Sequence, residues 1–337
     1  MSLPAKMSAI IASAPGGPDV LALATLSVPE PKPGEVLIRV AAAGINVPDL
    51  AQRRGDYPPP PGASPLLGLE VSGEIAVAAG DWHLGDKVVA LCNGGGYAEY
   101  VAVPAGQVLP APASWALVDA AALPETWFTI TQTLVMRAGL ASGMSVLITG
   151  AAGGIGGAAI QIAKLLGADP IALVSSTDKA NYTLSLGARA AIRHDTEDVL
   201  VRVRELTGGK GVDRVVDMVG GDTTRRNIDA LARFGHLVLV STLSDRNAAL
   251  PLNKLVGNQL TVSGSTLRPQ TSETKAAIAA HLRQHLWPAL SDPALPHPKV
   301  RRFPLAGAAA AHRVMEDRAS FGKLVLVTDF GSLAGNR

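Results

Sequence analysis

Apolar and polar positions follow two rhythms along this chain, and the change falls near residue 120. Before it, apolar runs are short and β-like. Val36-Leu37-Ile38-Arg39-Val40 and Val71-Ser72-Gly73-Glu74-Ile75-Ala76-Val77 predict strands. Tyr97-Ala98-Glu99-Tyr100-Val101-Ala102-Val103 alternates with the period of two that a half-buried strand needs. Tyr57-Pro58-Pro59-Pro60-Pro61-Gly62 predicts an ordered loop, because proline lacks an N–H and restricts the residue before it.

After residue 120 strand and helix patterns alternate. An Ala-rich helical stretch from Asp119 to Met136 is broken at Pro124. Strand-like segments follow at Ser145–Thr149, Ile171–Ser175, Ala190–Arg193, Val212–Val219, His236–Ser241 and Leu260–Ser263. Helical segments stand between them at Ile155–Leu166, Lys179–Leu186, Glu197–Leu206 and Thr223–Ala232. This alternation predicts a parallel sheet with helices on both faces, and right-handed crossovers make it doubly wound. Beyond residue 266 one long helix, Glu273–Leu290, is expected, then a Pro-rich linker, a helix over Ala306–Met315 and a last strand, Lys323–Thr328.

Composition narrows the class. A chain of 337 residues favours two domains, and 47% apolar with 17% charged residues fits packed cores rather than disorder. The formal net charge of +2, with no long Lys/Arg run, argues against a nucleic-acid or anionic-membrane surface. The single cysteine, Cys92, excludes a disulfide framework and a four-Cys zinc lobe within one chain, and is expected as a small buried hydrophobe. The first fourteen residues lack the pattern of a signal peptide, and no uninterrupted apolar run reaches membrane-spanning length. A cytoplasmic protein is the expectation.

The strongest chemical signal is the run Gly150-Ala151-Ala152-Gly153-Gly154-Ile155-Gly156-Gly157, set between a strand and a helix at the head of the alternating region. That context is what a dinucleotide-binding turn requires. Gly153 lets the backbone approach a pyrophosphate, Gly156 allows close helix–strand packing, and the helix N-terminus offers N–H groups and a favourable dipole. The second strand ends in Val174-Ser175-Ser176-Thr177-Asp178-Lys179. An NAD enzyme usually places Asp or Glu at this strand end. Small hydroxyls leave room for a 2′-phosphate and Lys179 can neutralise it, so NADPH is the expected cofactor. Asp178, the nearby acid, should point to solvent.

Several segments together carry a resemblance. They are Ala43-Gly44-Ile45-Asn46-Val47-Pro48-Asp49, the proline loop with Gly62-Ala63-Ser64, Leu67-Gly68-Leu69-Glu70, Gly94-Gly95-Gly96-Tyr97 and Ala122-Leu123-Pro124-Glu125-Thr126-Trp127-Phe128-Thr129. The chain resembles the medium-chain dehydrogenase/reductase superfamily over nearly its whole length. Within it the likeness is to the quinone-reductase branch, the zeta-crystallin relatives that include the tumour-suppressor-induced NADPH quinone oxidoreductases. Ala151 in place of the first fingerprint glycine is shared by that branch. The resemblance implies a doubly wound parallel Rossmann sheet over residues 128–266 and a GroES-like, mainly β catalytic domain over 1–127 and 267–337, with NADPH in the cleft between them. Asn46 and Leu69 stand where zinc alcohol dehydrogenases carry a Cys and a His ligand. An amide and an aliphatic chain cannot replace a thiolate and an imidazole on zinc, so no metal is expected.

Residue by residue, the resemblance implies these contacts. Thr129 touches the nicotinamide side, and Ala152, Gly153, Gly154 and Ile155 meet the pyrophosphate. Ser175, Ser176 and Lys179 meet the 2′-phosphate. His194 falls where relatives have a Tyr beside the adenosine. Ser241, Thr242 and Leu243 lie near the nicotinamide ribose, Ser265, Thr266 and Leu267 follow the sixth strand, and Lys323 matches a C-terminal Gly-Lys. Asn46, Asp49 and Tyr57 line the substrate side, with Tyr57 a candidate proton donor or a loop-packing aromatic. Asn46 alternatively satisfies backbone groups, and Asp49 alternatively caps a helix N-terminus. His281 and His285, four apart, lack a third ligand nearby in sequence.

The activity implied is zinc-independent hydride transfer from NADPH to a quinone or related conjugated carbonyl, in a homodimer. One alternative is an enoyl-thioester or enone reductase of the same superfamily. An alternative of another class is a nonenzymatic NADPH-binding protein, structural or RNA-associated.

Overall fold

A computed structural model describes residues 3–317 and 321–334. The chain divides into two compact units. One comprises Met1–Phe128, Arg268–Leu295 and Lys299–Arg337; the other comprises Thr129–Leu267 and Pro296–Pro298.

The second unit is built on a six-stranded parallel sheet. Its spatial order is Ala190–Arg193, Asp169–Val174, Ser145–Ile148, Val212–Asp217, Leu231–Leu239 and Thr261–Gly264. Strands such as Ser145–Ile148 are buried throughout, as a sheet covered on both faces demands. Helices Gly154–Leu165, Thr177–Ser185, Val199–Leu206 and Asp222–Asp229 connect successive strands. This is the doubly wound Rossmann sheet the alternation predicts. Leu147, Ile171, Leu173, Val215, Ile228 and Leu237 form its apolar core.

The first unit holds a mixed seven-stranded sheet, ordered Val300–Pro304, Lys323–Val327, Glu35–Gly44, Glu70–Val77, Lys87–Leu91 and Val108–Pro110, with Tyr100–Pro104 paired to Glu35–Gly44. A hairpin of Lys6–Ala12 and Leu21–Ser27 is additional. Pairings are antiparallel except Val300–Pro304 with Lys323–Val327. The core of Ile38, Val40, Ile45, Val71, Val88, Tyr97 and Leu326 lies against this sheet. This is the GroES-like, mainly β architecture.

Boundaries differ from the sequence reading at identifiable places. The expected helix Glu273–Leu290 is a helix over Ser272–His281, a π turn over Leu282–Leu286 and a 3₁₀ turn over Trp287–Ser291. Pro288, without an N–H, sits where the α-helical ladder has already ended. The helix expected to run to Ala232 stops at Asp229, and the strand expected from His236 begins at Leu231. That strand is irregular near Phe234, whose φ of 64° breaks any simple period-two pattern. Helix Leu252–Asn258 carries no clear apolar stripe, because Leu252 and Val256 are exposed and only Leu255 packs on the core.

Candidate active site

In the second unit, strand Ser145–Ile148 leads through Thr149 and Gly150 into helix Gly154–Leu165. Thr149 Oγ1 accepts from Met218 N at 2.9 Å and donates to Val216 O at 3.3 Å, which ties the turn to the next strand. Gly150 has φ of +56°, a conformation that favours glycine. A Cβ on Gly156 would lie 2.4–2.6 Å from the Ala151 backbone, so the helix can approach the turn only with glycine here. Gly153 is the N-cap and supplies no side-chain cap, so the first N–H groups keep their capacity for an anion. Ala151 and Ala152 are buried, Gly153 is exposed, and Gly154 and Ile155 are half-buried. The turn therefore fits a pyrophosphate.

At the end of the adjacent strand Val174 is buried and Ser175 exposed. Ser176 caps helix Thr177–Ser185, accepting from Lys179 N at 3.3 Å. Lys179 Nζ donates to Ser175 Oγ at 3.2 Å, so the predicted hydroxyl and cation are one cluster. Asp178 is exposed. Sequence reasoning missed Arg193. It pairs in register with Val174, its Nη1 donates to Thr177 Oγ1 at 2.9 Å, and it is ion-paired with Asp195 at 2.8 Å. A second cation thus stands at this strand end. His194 is exposed and its N–H donates to Val174 O at 3.1 Å.

Thr129 is buried and precedes a π turn, Thr131–Arg137. π turns recur at functional sites. Thr133 Oγ1 donates to Ser265 Oγ at 3.0 Å and Gln132 Nε2 to Thr266 O at 3.2 Å, which fixes this turn to the predicted Ser265-Thr266-Leu267 segment. Leu267 is buried. Ser241, Thr242 and Leu243 continue from the fifth strand, Leu243 being exposed. Gly220 lies so close that a Cβ there would be 2.9 Å from Thr242 Cα.

The first unit concentrates buried charge around Asn46. Lys323 Nζ donates to Glu70 Oε1 at 2.5 Å, to Asn46 Oδ1 at 2.7 Å and to Ile45 O at 3.3 Å. Asn46 Nδ2 donates to the same Glu70 oxygen at 2.8 Å. Both ends of the amide are thus engaged, and Lys323, expected at the cofactor, has its three protons directed within this cluster. Asp49 is the third residue of helix Val47–Arg54 and accepts from Asn46 N at 2.8 Å and from Gly68 N at 2.9 Å. The second bond also joins the helix to the Leu67–Glu70 turn. Burial pushes the Asp49 carboxyl up to about 6, against the pull of these N–H groups and Lys323.

Four further members of this cluster escaped the sequence reading: Glu70, Glu125, Lys275 and Arg268. Glu125 N donates to Glu70 Oε2 at 2.9 Å. Burial, then the Glu70 charge, push the Glu125 carboxyl up to about 8. Lys275 is buried, and its Nζ donates to Asn93 Oδ1 at 2.6 Å and Arg268 O at 2.8 Å; burial lowers its pKa. Arg268, also buried, donates from Nη2 to Gln52 Oε1 at 2.5 Å and from Nη1 to Tyr57 O at 3.4 Å. Its guanidinium sits 5.2 Å from the Tyr57 ring centroid. It therefore holds the start of the proline loop by backbone and ring together. Glu70 stood in the quoted Gly-Leu-Glu run and Glu125 in Pro-Glu-x-Trp, but neither position shows a periodicity that separates function from packing. Cys92 is buried, and its thiol is pushed up by burial and the nearby carboxylates.

The donor set does not suit zinc. Leu69 is buried and offers no donor, Asn46 is committed to Glu70 and Lys323, and among the described residues no group of three His, Cys, Asp or Glu stands where it could hold a metal. His281 and His285 contact each other, ring centroids 4.6 Å apart, without a third ligand. His312 is a packing residue, bonded to Arg53 and to Tyr97 OH at 3.1 Å each.

Comparison with known proteins agrees with this architecture. The alcohol dehydrogenase GroES-like domain model matches residues 32–113, and the zinc-binding dehydrogenase model matches residues 154–282. Quinone oxidoreductase 1 of Escherichia coli (strain K12) is 32% identical over 319 residues, covering 93% of this chain and 97% of the relative. A 2-haloacrylate reductase of Burkholderia sp is 32% identical over 335 residues, covering 93% and 96%. A mycobacterial protein solved in complex with NADPH superposes with a TM-score of 0.82 at 30% identity, covering 95% of this chain and 100% of that one. The chain belongs to the medium-chain dehydrogenase/reductase family, in its quinone oxidoreductase branch.

Proposed function

We propose that this oxidoreductase is a zinc-independent, NADPH-dependent reductase that delivers hydride to quinones or related conjugated carbonyl acceptors. The observation that carries the reading is the Asn46–Glu70–Lys323 cluster. Where zinc relatives hold ligands, the side chains present satisfy one another and supply no Lewis acid. Chemistry that needs little polarisation of the acceptor, such as quinone reduction, suits such a site. The enzyme's contribution is then largely positioning.

NADPH supplies the hydride when bound. Ala152, Gly153, Gly154 and Ile155 would hold its pyrophosphate through backbone N–H groups. Ser175, Ser176 and Lys179 would hold the 2′-phosphate, and no carboxylate terminates that strand. Thr129, Ser241, Thr242, Leu243 and the Ser265–Leu267 segment would flank the nicotinamide and its ribose, and His194 the adenosine. Tyr57, braced by Arg268, with Asn46 and Asp49, would shape the acceptor side. The complex of a relative with NADPH supports the cofactor assignment.

A second reading, reduction of an enone or enoyl thioester, draws on the 2-haloacrylate reductase likeness, since haloacrylates carry an activated C=C bond. The edge position of Thr261–Gly264 in the six-stranded sheet supports a homodimer paired through it. The test is NADPH oxidation with a panel of quinones, enones and enoyl thioesters. Turnover fastest on quinones supports the first reading; turnover fastest on thioesters selects the second; absence of turnover on all of them rejects both.

A further inference from the structure

Glu125 differs from every other acid of its cluster. Glu70 is bonded to Lys323, Asn46 and Glu125 N, and Asp49 to two backbone N–H groups. No hydrogen bond to the Glu125 carboxylate exists among the described residues, and the residue keeps part of its surface open. It is a carboxyl held in a charged, largely enclosed environment with neither an ion-pair partner nor a seal. Through its backbone N–H, bonded to Glu70 Oε2, it is joined within the first unit to the cluster around Asn46 on the proposed acceptor side.

We propose that Glu125 is the proton donor of this enzyme, protonating the oxyanion that forms on the acceptor as hydride arrives. The proposal rests on the reductase reading above. The balance is simple. The acceptor gains two electrons and one proton as hydride, its carbonyl oxygen becomes an oxyanion, and that oxygen takes the proton of the Glu125 carboxyl. The O–H bond of Glu125 breaks, an O–H bond forms on a hydroquinone or enol, and the Glu125 carboxylate regains a proton from water.

The surroundings set the protonation state. Glu70 from strand Glu70–Val77 and Asp49 from helix Val47–Arg54 place negative charge toward Glu125, and Lys323 from the last strand and Lys275 from helix Ser272–His281 place positive charge. Arg268 and the Cys92 thiol complete the shell. Lys323 is already held by Glu70, and Lys275 by Asn93 and the Arg268 carbonyl. Desolvation dominates, so the acid stays protonated at neutral pH. A donor poised near the working pH is what general acid catalysis favours.

The test pairs kinetics with a direct reading of the carboxyl. In the wild type, kcat with saturating NADPH should fall as pH rises through about 8. Glu125→Gln should abolish that inflection and lower kcat at pH 7 by roughly 10²-fold on an enone, where the enolate needs a donor. Glu125→Asp should restore the inflection in part. Infrared spectroscopy of the protein without substrate should show a protonated-carboxyl band that titrates in the same range and is missing in Glu125→Gln. An unchanged pH profile in Glu125→Gln, or no such band at neutral pH, overturns the proposal. A wild type that consumes no NADPH with any acceptor instead overturns the reductase reading itself.

Discussion

Lys323 Nζ and Glu70 Oε1 lie 2.5 Å apart, with side chains 5% and 0% exposed, in a cluster that also takes up Asn46. An ion pair this enclosed is held by mutual dependence, since either charge alone would be buried without compensation. Lys323→Met should destabilise the first unit by about 3–5 kcal/mol, the usual cost of leaving one partner of a buried pair unmatched. Adding Glu70→Gln should recover a large part of that loss. Denaturant unfolding of the two variants checks this; equal losses would show that packing, not charge, sets the cost.

The two glycines of the proposed phosphate turn, Gly153 and Gly156, should behave oppositely. A Cβ on Gly156 would collide with the Ala151 backbone, whereas one on Gly153 meets only Gly150 O at 3.4 Å, and Gly153 has an ordinary φ of −80°. Gly156→Ala should therefore lower the unfolding temperature. Gly153→Ala should leave it nearly unchanged while weakening NADPH, because the added methyl lies where backbone and phosphate would meet. Thermal unfolding and NADPH titration of both variants separate the effects.

Cofactor selectivity should reside partly in Lys179. A charge-assisted hydrogen bond contributes roughly 1.5–3 kcal/mol, or about 10–100-fold in affinity. Lys179→Ala should weaken NADPH by that factor and barely alter NADH. Arg193, tied to Thr177 and Asp195 at the same strand end, should retain a smaller share of the selectivity. Equal losses for both cofactors would show that Lys179 does not read the phosphate.

Stability should fall toward alkaline pH. Asp49 and Glu125 carry folded-state values of about 6 and about 8, above their ordinary 3.8 and 4.5. Between those limits the folded chain binds more protons than the unfolded one, so raising pH favours unfolding. The Asp49 contribution is spent by about pH 6; the decline from there through about pH 8 belongs to Glu125. Urea unfolding of Glu125→Gln should show a flatter profile over the upper part of this window. A profile as steep as the wild type's would move the responsible group elsewhere.

What was legible in the sequence followed local rules. The order of strand, glycine-rich turn and helix around Gly150–Gly157 was readable from local pattern, as was the second strand ending beside Ser175 and Ser176. Asn46 and Leu69 were legible by residue type alone as an amide and an aliphatic side chain, neither of which replaces a thiolate or an imidazole. The rest depended on long-range packing. Lys275 meets Asn93 and Arg268 meets Gln52 and Tyr57 across about 180 to 220 residues of chain, and periodicity says nothing about such meetings. Glu125 reads as an ordinary first-turn acid until Glu70, Asp49 and Lys323 are placed around it. Arg268 reaches the Tyr57 ring from more than 200 residues further along the chain, a meeting no local pattern shows. Arg268 meets the ring and the backbone carbonyl of Tyr57, contacts that a Phe would keep, so Tyr57→Phe should cost less than about tenfold in kcat, below the range of general acid catalysis.

The central claim is hydride transfer from NADPH to a conjugated acceptor without zinc. Its most direct test is NADPH oxidation by a quinone, measured on protein dialysed against a chelator and assayed in parallel for zinc by elemental analysis. The account predicts less than a tenth of a zinc per chain, in order of magnitude, with turnover unchanged by the chelator. One tightly bound zinc per chain, with turnover lost on its removal and restored on its return, would contradict it.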